Sequence, residues 1–326
     1  MRVPPAWPYP AAMKRLLLAL CLTGGASAQA GFPLPGQAAQ YPLTTQVTLA
    51  EAQAFARVMD VGLGQVDVRR LPEWRERLAG RAQAGDPLAQ FMYARTYDLF
   101  TTGQGTPQDA QVALKWYAKA ADRKFATAEL LLFNVYTYSL LGQPKNPERA
   151  ARYLRRAYAH SGGNLRAEVA LEMARQTDPG REDPRLPGFQ ASAGQTRASL
   201  EEVLKLDPDA GTALDWLMGI YLDSHDYPRA LEMARRTDNS AMWVQMALVL
   251  VEDHPHFPAQ PQTAVWFLKR RLHERQLSGD HDEATNALHL LMGLECEKKI
   301  TRADHQDVFD PAAYRTYLLW RVGCRV

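Results

Sequence analysis

Apolar residues in 85–122 fall three and four apart in two runs, AQFMYARTY and AQVALKWYAKAA, with the polar TTGQGTPQD between them. That spacing predicts two amphipathic helices joined by a turn. The pattern recurs in 124–160. Ala89, Ala128 and Ala167 are spaced 39 residues apart, each early in an apolar-periodic stretch, and Tyr97 and Tyr136 follow the first two alanines on the same helical face. In the second helix of each unit, Ala113, Trp116, Tyr117, Lys119 and Ala120 correspond to Ala150, Tyr153, Leu154, Arg156 and Ala157, now at an offset of 37. The two-residue difference falls in the turns, TTGQGTPQD against GQPKNPE, and is recovered in HSGGN. Gly103 and Gly105 are expected to take positive φ, Pro107 to block an incoming helix, and Asp109 to cap a helix beginning at Ala110.

A helix pair cannot bury its apolar stripe alone, so units of this size stack, and the usual product is a binding surface rather than a catalytic pocket. Residues 85–122 resemble a Sel1-like repeat, a relative of the tetratricopeptide repeat. Ala89, Tyr97, Gly103, Gly105, Asp109, Ala113, Trp116, Tyr117, Lys119, Ala120 and Ala121 all fall on its pattern. The departures are Ala94 and Phe133 at the small position usually held by glycine, and a second unit without a G-x-G turn. The resemblance implies an all-α, right-handed α-solenoid of stacked helix-turn-helix repeats that acts as a scaffold for a protein or peptide. Its exposed first-helix residues, such as Gln90, Arg95, Asn134 and Tyr138, are the candidate binding positions. Trp116 and Tyr97 are expected in the core.

Around this centre, Thr48 and Glu51 form a capping-box pattern opening a helix to about Met59, and Pro72 with Trp74, Leu78 and Ala82 marks another. Residues 48–84 are therefore expected to cap the repeats of 85–175. The stretch 176–195 holds Pro179, Gly180, Pro184, Pro187 and Gly188, the composition of a linker or long insertion and the expected internal boundary. Helical pattern resumes near Thr196. Ala213, Leu217 and Tyr221, then Tyr227, Ala230, Leu231 and Ala234, repeat the grammar in a degenerate form through 196–326, with a last helix at Pro311 to Trp320 capped by Asp310. The whole is either an extended superhelix or two helical lobes.

The N-terminus carries a different signal. Met13-Lys14-Arg15 precedes the apolar Leu16 to Leu22 and the small-x-small Ala26-Ser27-Ala28, which predicts a secretory signal peptide over 1–28, starting at Met13, with cleavage before Gln29. The polar, proline-containing 29–47 would then be a flexible tether. Without Arg2, Lys14 and Arg15 the chain has 35 basic and 36 acidic residues, so the formal charge of +2 becomes −1. That balance exerts no long-range pull on polyanions, and with no base-reading motif it argues against a nucleic-acid partner. No later stretch has the roughly eighteen consecutive apolar residues of a transmembrane segment. A periplasmic or secreted address follows. In such a compartment Cys296 and Cys324, an even pair once Cys21 leaves with the leader, are expected to form a disulfide.

Signatures of catalysis are missing from the sequence: it has no G-x-S-x-G elbow, phosphate loop or H-E-x-x-H helix. Gly62-Leu63-Gly64 reads as a helix stop. His254 and His256 beside Glu252 and Asp253, and His281 beside Asp282 and Glu283, lie in polar turns where solvated side chains are the ordinary outcome. No cofactor, metal or catalytic residue is therefore expected. The competing reading is an envelope hydrolase or polysaccharide-binding protein whose His, Glu and Asp converge in the divergent C-terminal half. Arg149, Arg152 and Arg156 share one helical face, read first as a solvated outer face and second as a contact for anionic wall polymers or acidic peptides.

Overall fold

The computed structural model describes residues 45–59, 66–98, 106–278 and 282–304. Among them are thirteen α-helices and no β-strand beyond an isolated bridge between His254 and Phe257. The helices are α1 (Leu49–Met59), α2 (Leu71–Gln83), α3 (Pro87–Arg95), α4 (Pro107–Asp122), α5 (Ala126–Tyr138), α6 (Pro147–His160), α7 (Gly163–Thr177), α8 (Ala193–Leu206), α9 (Gly211–Asp223), α10 (Tyr227–Arg236), α11 (Ser240–Leu250), α12 (Pro261–Ser278) and α13 (Asp282–Cys296). Along most of the chain each helix packs on the next, and α5 also meets α7, as stacked pairs require. The chain divides into two compact units at Ser199 and Leu200, inside α8.

In the first unit the helix starts are chemically explicit. Thr48 and Glu51 form the expected capping box, with Thr48 N–H donating to Glu51 Oε2 and Glu51 N–H to Thr48 Oγ1. Arg81 from α2 donates to the same carboxylate at 2.9 Å and, as the largest influence, holds the Glu51 carboxyl down at about 2. α2 begins with Pro72 in its first turn, and Trp74, Leu78 and Ala82 are buried as the spacing predicted. Phe55 of α1 meets the Trp74 ring edge-on at 5.3 Å, so both capping helices share the core of the repeats.

The start of α4 differs from expectation. Thr106 is the N-cap, the helix begins at Pro107, and Asp109 is the third helical residue, accepting from Thr106 N–H to complete a capping box. The physical reason is proline, which is well placed at a first helical position because that N–H has no intrahelical partner. In the second repeat, Ser139, Leu141 and Gly142 take positive φ where the first repeat has its glycine-rich turn. Leu141 is buried, and that burial offsets the cost of a left-handed branched residue.

The five chain breakers do not make a free linker. Residues 178–192 are irregular but ordered against the first unit: Leu186 is buried and donates its N–H to Gln176 Oε1, and Ser192 N–H donates to Thr177 O. Gly188 has φ +80°, and a Cβ there would lie 2.8 Å from Arg155 Nη1, so the position combines a left-handed backbone with a close approach. The glycine turns at 62–64 and 103–105, His281, the signal segment, all but the last residues of the tether, and the helix at 311–320 with Cys324 lie outside the described residues. Among the described residues no helix is long and apolar enough to cross a membrane.

Candidate interaction surface

The four residues picked for an open face do not form one. α3 has only nine residues, and eight of them are buried, because helices flank it on both sides. Gln90 is 5% exposed and donates from Nε2 to Ala82 O at 3.0 Å. Arg95, 9% exposed, donates to Asp98 Oδ2 at 2.8 Å, and Tyr117 donates its hydroxyl to the same oxygen at 2.8 Å. Burial first, then the Asp98 charge, pushes the Tyr117 hydroxyl well above its ordinary value. Asn134 and Tyr138 on α5 are half-buried, and burial raises the Tyr138 hydroxyl.

A polar position that sequence reasoning missed follows each repeat alanine: Gln90 and Glu129, both buried, and Glu168, which is half-buried. Glu129 is completely buried and is clamped from α6 by Arg156 Nε at 2.8 Å and by His160 Nδ1 at 2.8 Å. Arg156 also donates to Ala121 O at the end of α4 and lies 3.6 Å from Asp122. Glu168 on α7 forms no ion pair among the described residues, and burial pushes its carboxyl up to about 7. The available signal was the 39-residue register, which had already picked out the alanine beside each one.

Outside these nodes, rings and cations alternate. Trp116, expected in the core, is half-buried, and its neighbour Tyr117 is the fully buried ring. One helical residue turns the side chain by about 100°, which separates the core from its margin. Tyr93 meets Trp116 edge-on at 5.1 Å and Tyr97 at 5.4 Å. Tyr97, also expected in the core, is half-buried. The two tyrosine hydroxyls are 3.3 Å apart, and that hydrogen bond, then burial, raises Tyr93 to about 12. Arg75 lies over Tyr97 at 4.0 Å and Lys119 over Trp116 at 3.9 Å. In the second repeat Tyr136 and Tyr153 stack at 5.9 Å with their planes 5° apart, Arg149 lies over Tyr136 at 5.2 Å, and Arg152 and Arg156 lie over Tyr153. Lys119, Arg149 and Arg152 form no ion pair with a carboxylate among the described residues. Arg149, Arg152 and Arg156 therefore do not form a single solvated face: Arg156 turns inward to Glu129 while Arg149 and Arg152 stay exposed.

The second unit, taken alone, holds an open cleft of about 310 Å³ lined by Glu201, Lys205, Leu217, Tyr221, Arg229 and Met233 among others. Tyr221 donates its hydroxyl to Glu201 at 3.1 Å, so this carboxylate is engaged in packing α8 against α9. His254 packs against the Tyr227 ring at 4.3 Å with the planes tilted by 43°, and Asp253 accepts from Ala259 N–H, so both serve the turn. His256 and Glu252 are exposed, and no group of three His, Cys, Asp or Glu among the described residues could hold a metal ion. Trp266, 48% exposed, shares Arg270 with buried Trp243. Cys296 is disulfide-bonded, and its expected partner Cys324 lies outside the described residues.

With this geometry in hand, residues 87–125 and 126–161 each match the Sel1 repeat family. Among solved structures, the chain is similar to a Sel1 repeat protein from Oxalobacter formigenes, at 19% identity over 67% of this chain and 82% of that one, with a TM-score of 0.43. It is also similar to c5321, a protective antigen present in uropathogenic Escherichia coli strains displaying an SLR fold, at 16% identity and a TM-score of 0.40. That match covers 82% of this chain and 60% of the other. No curated protein matches the chain.

Proposed function

Given that the chain carries two Sel1 repeats, we propose that it is a scaffold that holds a protein or peptide partner in the cell envelope, and that the partner docks on the ring-and-cation margin of the first unit. The observation that carries this reading is the repetition of half-buried rings at equivalent positions. Trp116 and Tyr153 occupy the same place in successive repeats, each with a basic residue one turn later lying over it. Aromatic side chains that are only partly covered offer a large contact area at low entropic cost, which is why they are enriched in interface hot spots.

The envelope address rests on the signal-peptide pattern at 13–28, with the disulfide-bonded Cys296 as support for an oxidising compartment. Intact-mass analysis of protein recovered from its native cell should give a mature chain beginning at Gln29; a chain retaining residues 13–28 in the cytoplasmic fraction removes the address. Docking is tested by affinity capture from envelope extract, comparing the natural chain with Trp116→Ala/Tyr153→Ala. The expected result is a discrete partner lost from the double variant while its circular dichroism remains helical. Equal recovery by both chains argues against this margin.

A further inference from the structure

The chemistry of the margin narrows the partner, on the premise that the first unit is the docking unit. α4 and α6 belong to successive repeats, yet they meet: Arg156 on α6 reaches Asp122 at 3.6 Å and the Ala121 carbonyl, both at the end of α4. Four exposed basic residues flank that contact. Lys115 and Arg152 are equivalent in the repeat register and both exposed, and Lys119 and Arg149 are exposed over the rings of Trp116 and Tyr136. None of these four forms an ion pair with a carboxylate among the described residues. The acids nearest in sequence are Asp109, tied to Thr106 in the first turn of α4, Asp122, which faces Arg156, and Glu148, at the first turn of α6. The formal charge of the chain after leader removal is −1, so this concentration of unpaired cations is local and not a product of overall composition.

We propose that the α4–α6 face binds an acidic segment of a protein partner, its carboxylates meeting Lys115, Lys119, Arg149 and Arg152 while its apolar side chains lie on Trp116 and Tyr153. A cation already seated on a ring is held in place before the anion arrives, so less side-chain freedom is lost on binding than for a free lysine or arginine. Flat rings next to cations also suit a peptide better than a polymer that carries charge alone. An aromatic plane gives a polyphosphate chain nothing to bury.

The probe is a fluorescein-labelled peptide of alternating glutamate and leucine, titrated by anisotropy against the chain from Gln29, with the glutamine-for-glutamate peptide and inorganic polyphosphate as comparisons. The glutamate peptide is expected to bind, to weaken as salt rises, and to weaken at least about tenfold with Lys119→Glu/Arg152→Glu, while Lys205→Glu in the second unit leaves it unchanged. Should the reversal variant not fold, Lys119→Gln/Arg152→Gln is used, with an expected loss of several-fold. Equal binding of the glutamine peptide, no response to either variant, or saturable binding of polyphosphate alone would each overturn the proposal. Undiminished capture of an envelope partner by the charge-reversal variant would overturn the acidic segment while leaving the scaffold reading in place.

Discussion

In the first repeat the interior position after the alanine is Gln90, whose amide donates to a helix-end carbonyl and whose Oε1 is buried with no partner among the described residues. In the second it is Glu129, a fully buried carboxylate gripped by Arg156 and His160. Charge is likewise concentrated differently: the first repeat buries Arg95, Asp98 and Tyr117 together, while the second has apolar Leu154 where Tyr117 stands. At the margin the two repeats instead agree, with Trp116 and Lys119 answering to Tyr153 and Arg156. Packing thus tolerates several chemistries inside, so interior agreement is not what makes the repeats alike. The outer rings recur although neither is fully buried, which points to a surface role.

The largest effect expected from this contrast is in stability. Tyr117→Ala removes a fully buried ring and should cost about 3–5 kcal/mol, whereas Trp116→Ala, at the margin, should cost only about 1 kcal/mol. Urea unfolding of both variants measures the difference; equal losses would erase the distinction between core and margin.

That distinction also marks the limit of what the sequence disclosed. The 3.6-residue periodicity and the threonine and proline signals located most helices, because capping and burial act within a few residues. Gln90 and Arg95 were misplaced because exposure depends on both neighbours of α3, which are set by packing rather than by the helix's own nine residues. Trp116 and Tyr117 are adjacent in sequence and straddle the edge of the apolar stripe, where periodicity is least informative. The 178–192 segment has the composition of a linker, but its anchors are Gln176 and Thr177 in the preceding helix, whose side chain and carbonyl have no sequence signature. Of the candidate surface, the paired register was legible; its half-exposure was not.

The interior nodes yield the next effect. Glu129→Ala strands Arg156 beside a buried void and should cost about 2–3 kcal/mol, less than a wholly buried pair because Arg156 retains some access to water. Gln90→Ala should cost less than Glu129→Ala in the same melts, and the reverse order would contradict the contrast between the nodes.

A smaller, pH-dependent effect concerns Glu168, which occupies the same position with no cation paired to it among the described residues. Its carboxyl sits at about 7 in the folded chain against an ordinary 4.5, so the folded state keeps a proton that the unfolded chain releases. Stability therefore falls as pH rises from about 4.5 to 7, and the full penalty applies above that window. The full shift corresponds to roughly 3 kcal/mol, but Glu168 is only half-buried and screened by solvent. Glu168→Gln should therefore be more stable than the natural chain by about 1–2 kcal/mol at pH 8 and indistinguishable from it near pH 4. A variant that gains equally at both pH values would show that burial of the charge is not the cause.

The most direct test of the scaffold account is site-specific photocrosslinking in the native cell, with a photoreactive amino acid replacing Lys119 or Arg152 in the first unit or exposed Leu248 in the second. The account predicts one shared protein adduct from positions 119 and 152 and none of that mass from 248. An adduct of the same mass at all three positions, or none at 119 and 152 in correctly exported chain, would contradict it.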